Sequence, residues 1–177
     1  MTLLAAGRSI MARNRITEVL LWLAVLGLSI WFGGTLYQML VIVPMWSASP
    51  PESVRAFFLG TRYNETIWNF FGPPFMVARF APLVGALLLG WHLPELRRWL
   101  LVATICMAFG VVFTLAYIYP INDVLFAQAG GDHSPEEIRA MVRQWVLADR
   151  VRFAVGAVGF LAALRALRVP TFEARTR

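Results

Sequence analysis

The chain has 177 residues, 59% of them hydrophobic and only 15% charged, with a formal net charge of +6. That length holds one domain, and so apolar a composition excludes an ordinary water-soluble fold and points to a membrane protein. All 16 basic residues are arginines; they gather beside apolar runs, where topology and anionic lipid account for them, so nucleic-acid binding is not expected.

Arg8, Arg13 and Arg15 precede the first apolar run, Val19 to Val43, which carries no charge. A spanning helix needs roughly 20 apolar residues because lipid cannot satisfy backbone amides. The run is longer than a signal-peptide core, and no A-x-A site follows it, so residues 1–18 are read as a cytoplasmic segment and 19–43 as a retained first span. Within it Gly33 and Gly34 would permit close helix contact. The run ends at Pro44 in "VIVP" and is followed by "PESVRAFF" at 51–58, which predicts a short amphipathic helix.

The second span, 70–91, contains a single charge, Arg79. A short loop with Arg97 and Arg98 leads to the third span, 99–119, whose end "YIYPIND" predicts a stop, because proline cannot continue a helix and Asn122 or Asp123 can accept hydrogen bonds from a turn. "PEEIRAMV" at 135–142 then starts a second amphipathic helix. Ser134 and Glu137 have capping-box spacing, and Ile138, Met141, Val142 and Trp145 share one face. The fourth span, 148–168, has an apolar centre from Phe153 to Leu164 with Gly156, Gly159 and Ala163 on a small-residue face, and 169–177 is a cytoplasmic tail. The expected fold is therefore all-α, an integral membrane four-helix bundle, residues 19–168, with two short amphipathic helices in the outward loops. Nine arginines fall on the side of the termini and the 92–98 loop, while those of the long loops are balanced by acids. The positive-inside rule puts both termini in the cytoplasm, in a bacterial inner membrane.

The two amphipathic starts share P-E-x-[V/I]-R-A, and each follows a span ending at proline. Convergence on the same capping residues and internal duplication both explain this. Duplication would make the halves parallel repeats with a binding site between them.

Ionisable groups inside spans are candidate functional residues. Arg79 lies about five residues, roughly 8 Å, along its helix if that helix begins near Pro74. It either snorkels to headgroups, forms a structural salt bridge, or points inward to fix an anion or polarised carbonyl. Asp123, Asp149 and Arg152 complete the catalytic set, and Gln38, Tyr117, Asn122 and Trp145 the substrate-binding set. No metal or cofactor is expected: His92 and His133 fall on opposite sides, Cys106 is the only cysteine, and no P-loop, G-x-G-x-x-G or convergent Ser-His-Asp set exists.

"WFGGTLYQMLVIVP", "YIYPIND" and "QWVLADRVR" together resemble the anthrone oxygenase-like family of small four-helix membrane proteins, over about residues 20–168. The resemblance carries over Pro44, Pro120, Asn122, Trp145 and Arg152; where the family has an asparagine before that arginine, this chain has Asp149. It implies oxidation of a small apolar aromatic or quinone-like substrate without a metal; for such a carbon acid, a carboxylate such as Asp123 or Asp149 would remove a proton and Arg79 or Arg152 would stabilise the enolate. The alternatives are a lipid or small-molecule binding or transport protein, which with four spans would need to be a homo-oligomer, and an accessory subunit of a membrane complex. "IWFGG" is also similar to copper-resistance-type membrane proteins, but Met39 and Met45 are too few ligands for such a site. Membrane lipids and a small apolar ligand are the expected partners.

Overall fold

The computed structural model describes residues 2–169, with side chains from residue 11 onward; the tail from 170, with Arg175 and Arg177, and the side chain of Arg8 lie outside the described residues. The described chain is all-α. Helix α1, Thr2–Tyr37, passes directly into a π-helical segment, Gln38–Ile42, and then into α2, Val43–Ser47. After a turn with a cis Pro50–Pro51 peptide come α3, Glu52–Gly60, and the single-turn helices α4, Tyr63–Thr66, and α5, Trp68–Phe71. Extended backbone at Gly72 separates these from α6, Pro73–Leu89. Helix α7, Pro94–Phe113, continues through a π segment, Thr114–Ile118, into α8, Tyr119–Asn122, and a further π segment, Asp123–Ala127. Gly130 and Gly131, both at positive φ, turn the chain into α9, Pro135–Leu167.

Three corrections follow. Neither Pro44 nor Pro120 stops its helix. Proline lacks an N–H and its ring strikes the carbonyl four residues back, yet the residue before each proline closes a π turn instead: Val43 donates to the Gln38 carbonyl and Tyr119 to the Thr114 carbonyl. The ladder changes register where the proline would have broken it, as π turns inside α-helices do. The second amphipathic stretch is not a separate helix either. With no glycine or proline from Glu136 to Val155, nothing interrupts α9 before it becomes the predicted fourth span. Gly33, finally, stands open with no neighbour, whereas a Cβ on Gly34 would sit 2.4 Å from the Phe70 ring.

Three helical stretches are long and apolar enough to cross a membrane: Met11–Ser47, Tyr63–Leu89 and Pro94–Ala127. The charges at Asp149, Arg150, Arg152 and Arg165 keep α9 out of that set.

Helices α1 and α6 pack along each other, as do α7 and α9; α1 also packs on α9, whereas α6 and α7 touch more sparsely. Two apolar cores result. One joins the four long helices, around Leu21, Leu28, Leu83, Leu100 and Ala163. The other, at the proline end, joins Trp46, Val54, Phe58, Ile118, Leu125 and Trp145. Ile138, Val142 and Trp145 are all buried in the second core, as their shared face requires.

The cap of α9 is as predicted. The Glu137 backbone N–H donates to the Ser134 hydroxyl, and the Ser134 N–H donates to the Glu137 carboxylate at 2.9 Å. These bonds from Ser134 hold the Glu137 carboxyl below its usual range. A depressed carboxylate contributes its stability above the unfolded pKa and loses it as pH falls through the folded one. We expect Ser134→Ala to destabilise the protein by about 1 kcal/mol at neutral pH, and the gap from wild type to narrow in acid. Thermal unfolding in detergent at both pH values checks this.

Candidate functional site

Between the two cores lies a cavity of about 470 Å³. One wall comes from α5 and α6, through Trp68, Phe71, Met76, Arg79 and Phe80; the opposite wall comes from α7 and the segments after it. Gln38 and Trp31 of α1, Tyr63 and Asn64 of α4, and Trp145, Arg152 and Gly156 of α9 close the rest. The mouth falls where α6 and α7 pack sparsely. There Trp68 and Leu115 line the cavity yet are each more than half exposed, and the Trp68 and Tyr119 rings meet edge-on at 6.1 Å.

Arg79 is 7% exposed and, among the described residues, forms no hydrogen bond or ion pair; its Nε and Nη1 are buried without partners. It neither snorkels outward nor meets a carboxylate. Its guanidinium lies 5.2 Å from the Trp31 ring and 5.5 Å from the Phe80 ring, contacts that stabilise a cation without neutralising it. Glycines make the approach possible. A Cβ on Gly27 would come within 3.0 Å of the Arg79 Cβ, and one on Gly156 within 2.5 Å of the Trp31 ring.

Arg152 is handled differently. Its Nη2 is paired with Asp149, one turn earlier on α9, and its Nη1 donates to the Thr114 hydroxyl at 3.2 Å. Asp149 is 1% exposed and borders a smaller cavity beside Pro44 and Arg150 rather than the main one. Asn122 accepts a hydrogen bond from the Trp145 indole at 2.6 Å, so two predicted site residues hold each other in the wall. Asp123 lines the main cavity from an exposed position and forms no ion pair. Gln38 lines it with its Oε1 buried and unpartnered.

Seven of the eight predicted residues thus lie in the cavity wall or bond to it. Tyr117 does not. It is exposed and stacks on Phe113 at 5.3 Å, away from the cavity. The π turn explains this: five residues now separate equivalent positions, so Tyr119 and not Tyr117 faces the cavity with Thr114. Tyr63, whose buried hydroxyl has no partner, and Asn64, which donates to the Phe126 carbonyl, escaped the sequence reading because they sit in a loop without a motif. Among the described residues no three of His, Cys, Asp or Glu gather as metal ligands do.

Two further repeat signals are present in the sequence. Gly34, Gln38, Ile42 and Pro44 match Gly110, Thr114, Ile118 and Pro120 at constant spacing, and Arg79-Phe80-Ala81 matches Arg152-Phe153-Ala154. The matched residues occupy matched places: each proline follows a π segment, and each Arg-Phe-Ala lies on the helix that packs along the proline-bearing one.

A family profile described as anthrone oxygenase matches residues 64–162, over half of the chain and including Arg79, Asn122, Asp123, Trp145 and Arg152. The chain belongs to the anthrone oxygenase family. No curated protein and no solved structure matches it. Trp145 and Arg152, which the resemblance carries over, lie within the matched stretch, and Asp149, standing where the resemblance implies asparagine, is the counter-ion of Arg152.

Trp31 depends on Gly156 for its place beneath Arg79. Gly156→Ala is expected to leave the chain folded but to displace Trp31, seen as a shift in tryptophan emission. The shift disappears when Trp31 is first changed to Phe.

Proposed function

We propose that this chain is an integral membrane oxygenase that oxidises a small, flat aromatic carbon acid with dioxygen inside the cavity between its two cores. The observation that carries this reading is a group of unpartnered buried polar atoms in a cavity lined mainly by aromatic and aliphatic side chains: Gln38 Oε1, Tyr63 OH, Arg79 Nε and Nη1, and Arg152 Nε. Buried polar groups in folded proteins are nearly always paired, and exceptions mark sites. The family supplies the reaction class. In that reaction a ring methylene opposite a ketone, and conjugated with it through the flanking arene rings, becomes a carbonyl, and one dioxygen yields one quinone oxygen and one water.

Asp123 is the proposed base, since it lines the cavity and is not committed to an ion pair, whereas Asp149 is. It removes a proton from the methylene, leaving an enolate whose oxygen is stabilised by Arg79. The carbanionic carbon reduces dioxygen, and a C–O bond forms. Protonation gives a hydroperoxide. Loss of the second carbon proton with cleavage of the O–O bond releases hydroxide, which takes up a proton to leave as water. Trp145 and Asn122 hold the wall, and Gln38 hydrogen-bonds the substrate.

The same reading makes the protein a four-span bundle, residues 19–168, with the proline end outside and both termini cytoplasmic; α9 supplies the fourth crossing, since Asp149 and Arg152 pair with each other and Arg165 lies against Glu95 of α7. A binding protein for a small apolar ligand is the second reading, favoured by the half-exposed mouth at Trp68 and Leu115.

Purified protein should convert anthrone to anthraquinone with equimolar dioxygen uptake. Arg79→Leu should lower kcat by about 10²–10³, as loss of one oxyanion donor does, with Arg79→Lys between. No acceleration over buffer, with ligand still bound, leaves the binding reading. Reporter fusions at residues 60 and 130 are expected outside; a cytosolic signal from either would overturn the topology.

A further inference from the structure

We infer that the cavity takes its ligand as a flat organic monoanion, a phenolate or aromatic carboxylate, with the acidic group on Arg79. This deepens the proposed function and rests on the same cavity being the binding site.

The argument begins with the matched arginines. Arg79 and Arg152 begin the same Arg-Phe-Ala tripeptide on equivalent helices, and both line the cavity. Three residues before Arg152 stands Asp149, which neutralises it. Three residues before Arg79 stands Met76, which also lines the cavity. A carboxylate and an arginine at i and i+3 meet on one helix face, so one half contains its own counter-ion and the other half carries a thioether in its place. Asp123 lines the same cavity from an exposed position, and among the described residues no acid lies within ion-pair distance of Arg79. The Arg79 Nε and Nη1 are buried without a partner, and the second arginine of the cavity, Arg152, is already committed to Asp149. Because arginine does not give up its proton in proteins, the imbalance persists at any working pH. A buried guanidinium with unused donors recruits an anion, and a ligand entering the cavity can bring one.

The surrounding rings set the shape. Trp31 and Phe80 flank the guanidinium, and Trp68, Phe71 and Phe126 line the remaining wall. An aromatic anion fits both the charge and those faces; an acyl-chain carboxylate satisfies the charge alone.

The test is a binding measurement that needs no turnover. The full chain in neutral-lipid nanodiscs is titrated with 9-anthracenecarboxylate and with 9-anthracenemethanol, its uncharged counterpart, following quenching of tryptophan fluorescence. The carboxylate should bind at least about tenfold more tightly, the ratio one charge-assisted hydrogen bond gives. Met76→Asp, which places on α6 the acid that α9 already has, should abolish the preference, as should Arg79→Leu. Met76→Asn, polar but uncharged, should retain it. Equal affinities in the wild type, or an unchanged preference in Met76→Asp, would overturn the inference. Displacement by laurate as effective as by the aromatic acid would overturn its aromatic part. Retained carboxylate preference without anthrone oxidation would count against the oxygenase reading and leave this one standing.

Discussion

An unneutralised guanidinium held away from water is the constraint to which the rest of this structure answers. Moving an isolated charge into apolar surroundings costs several kcal/mol even after relaxation. The rings of Trp31 and Phe80 each return about 0.5–2 kcal/mol. Aromatic contact therefore does not offset the cost alone, and Arg79 has to be held by the packing of its backbone. Gly27 supplies that hold, since the absence of a side chain there lets α1 approach the Arg79 Cα and Cβ directly. Gly156 supplies a second hold at one remove, by admitting the Trp31 ring. Other glycines permit close contacts elsewhere in the bundle, Gly85 against Leu20 and Gly159 against Cys106 and Met107.

The π segments are the other half of the same design. A helix carrying proline in its middle kinks or breaks unless its hydrogen-bond ladder changes register. Here each change of register happens beside the cavity, with Gln38 opening one π segment and Thr114 another. The extra residue in each turn brings side chains five apart onto one face. Thr114 and Tyr119 consequently look into the same space, and the helix continues to carry Asn122 and Asp123 along the wall. Without the π turn the chain would leave the cavity at Pro120, and the polar cluster after it would belong to a loop.

Much of this was legible in the sequence, and the parts that were not have identifiable causes. Apolar run length gave the all-α class, and Ser134 with Glu137 gave the start of α9, because each is a local rule about a local segment. Arg79, Asn122, Asp123 and Trp145 stood out because polar groups are conspicuous in apolar runs. Helix continuity at Pro44 and Pro120 was not legible: the usual effect of proline is a stop, and the π turn that evades it has no residue signature. Tyr117 was misplaced for the same reason, since its assignment assumed α-helical spacing. Tyr63 lies 16 residues before Arg79 in a loop, and only the fold brings the two to one cavity.

The matched halves also show how one backbone plan yields two chemical roles. In the second half the polar groups are used on one another: Arg152 with Asp149 and Thr114, and Asn122 with Trp145. At the corresponding positions of the first half stand Arg79, Met76, Gln38 and Trp46. There the guanidinium nitrogens Nε and Nη1, the Gln38 Oε1 and the Trp46 Nε1 are all buried without a partner. A satisfied network rigidifies its surroundings, and an unsatisfied one is costly until something completes it. The two halves differ in degree: the second pairs Arg152 with Asp149 and Thr114 and leaves only Arg152 Nε and Asp149 Oδ2 open, whereas in the first neither Arg79 nor the Gln38 Oε1 has a partner, and both line the cavity.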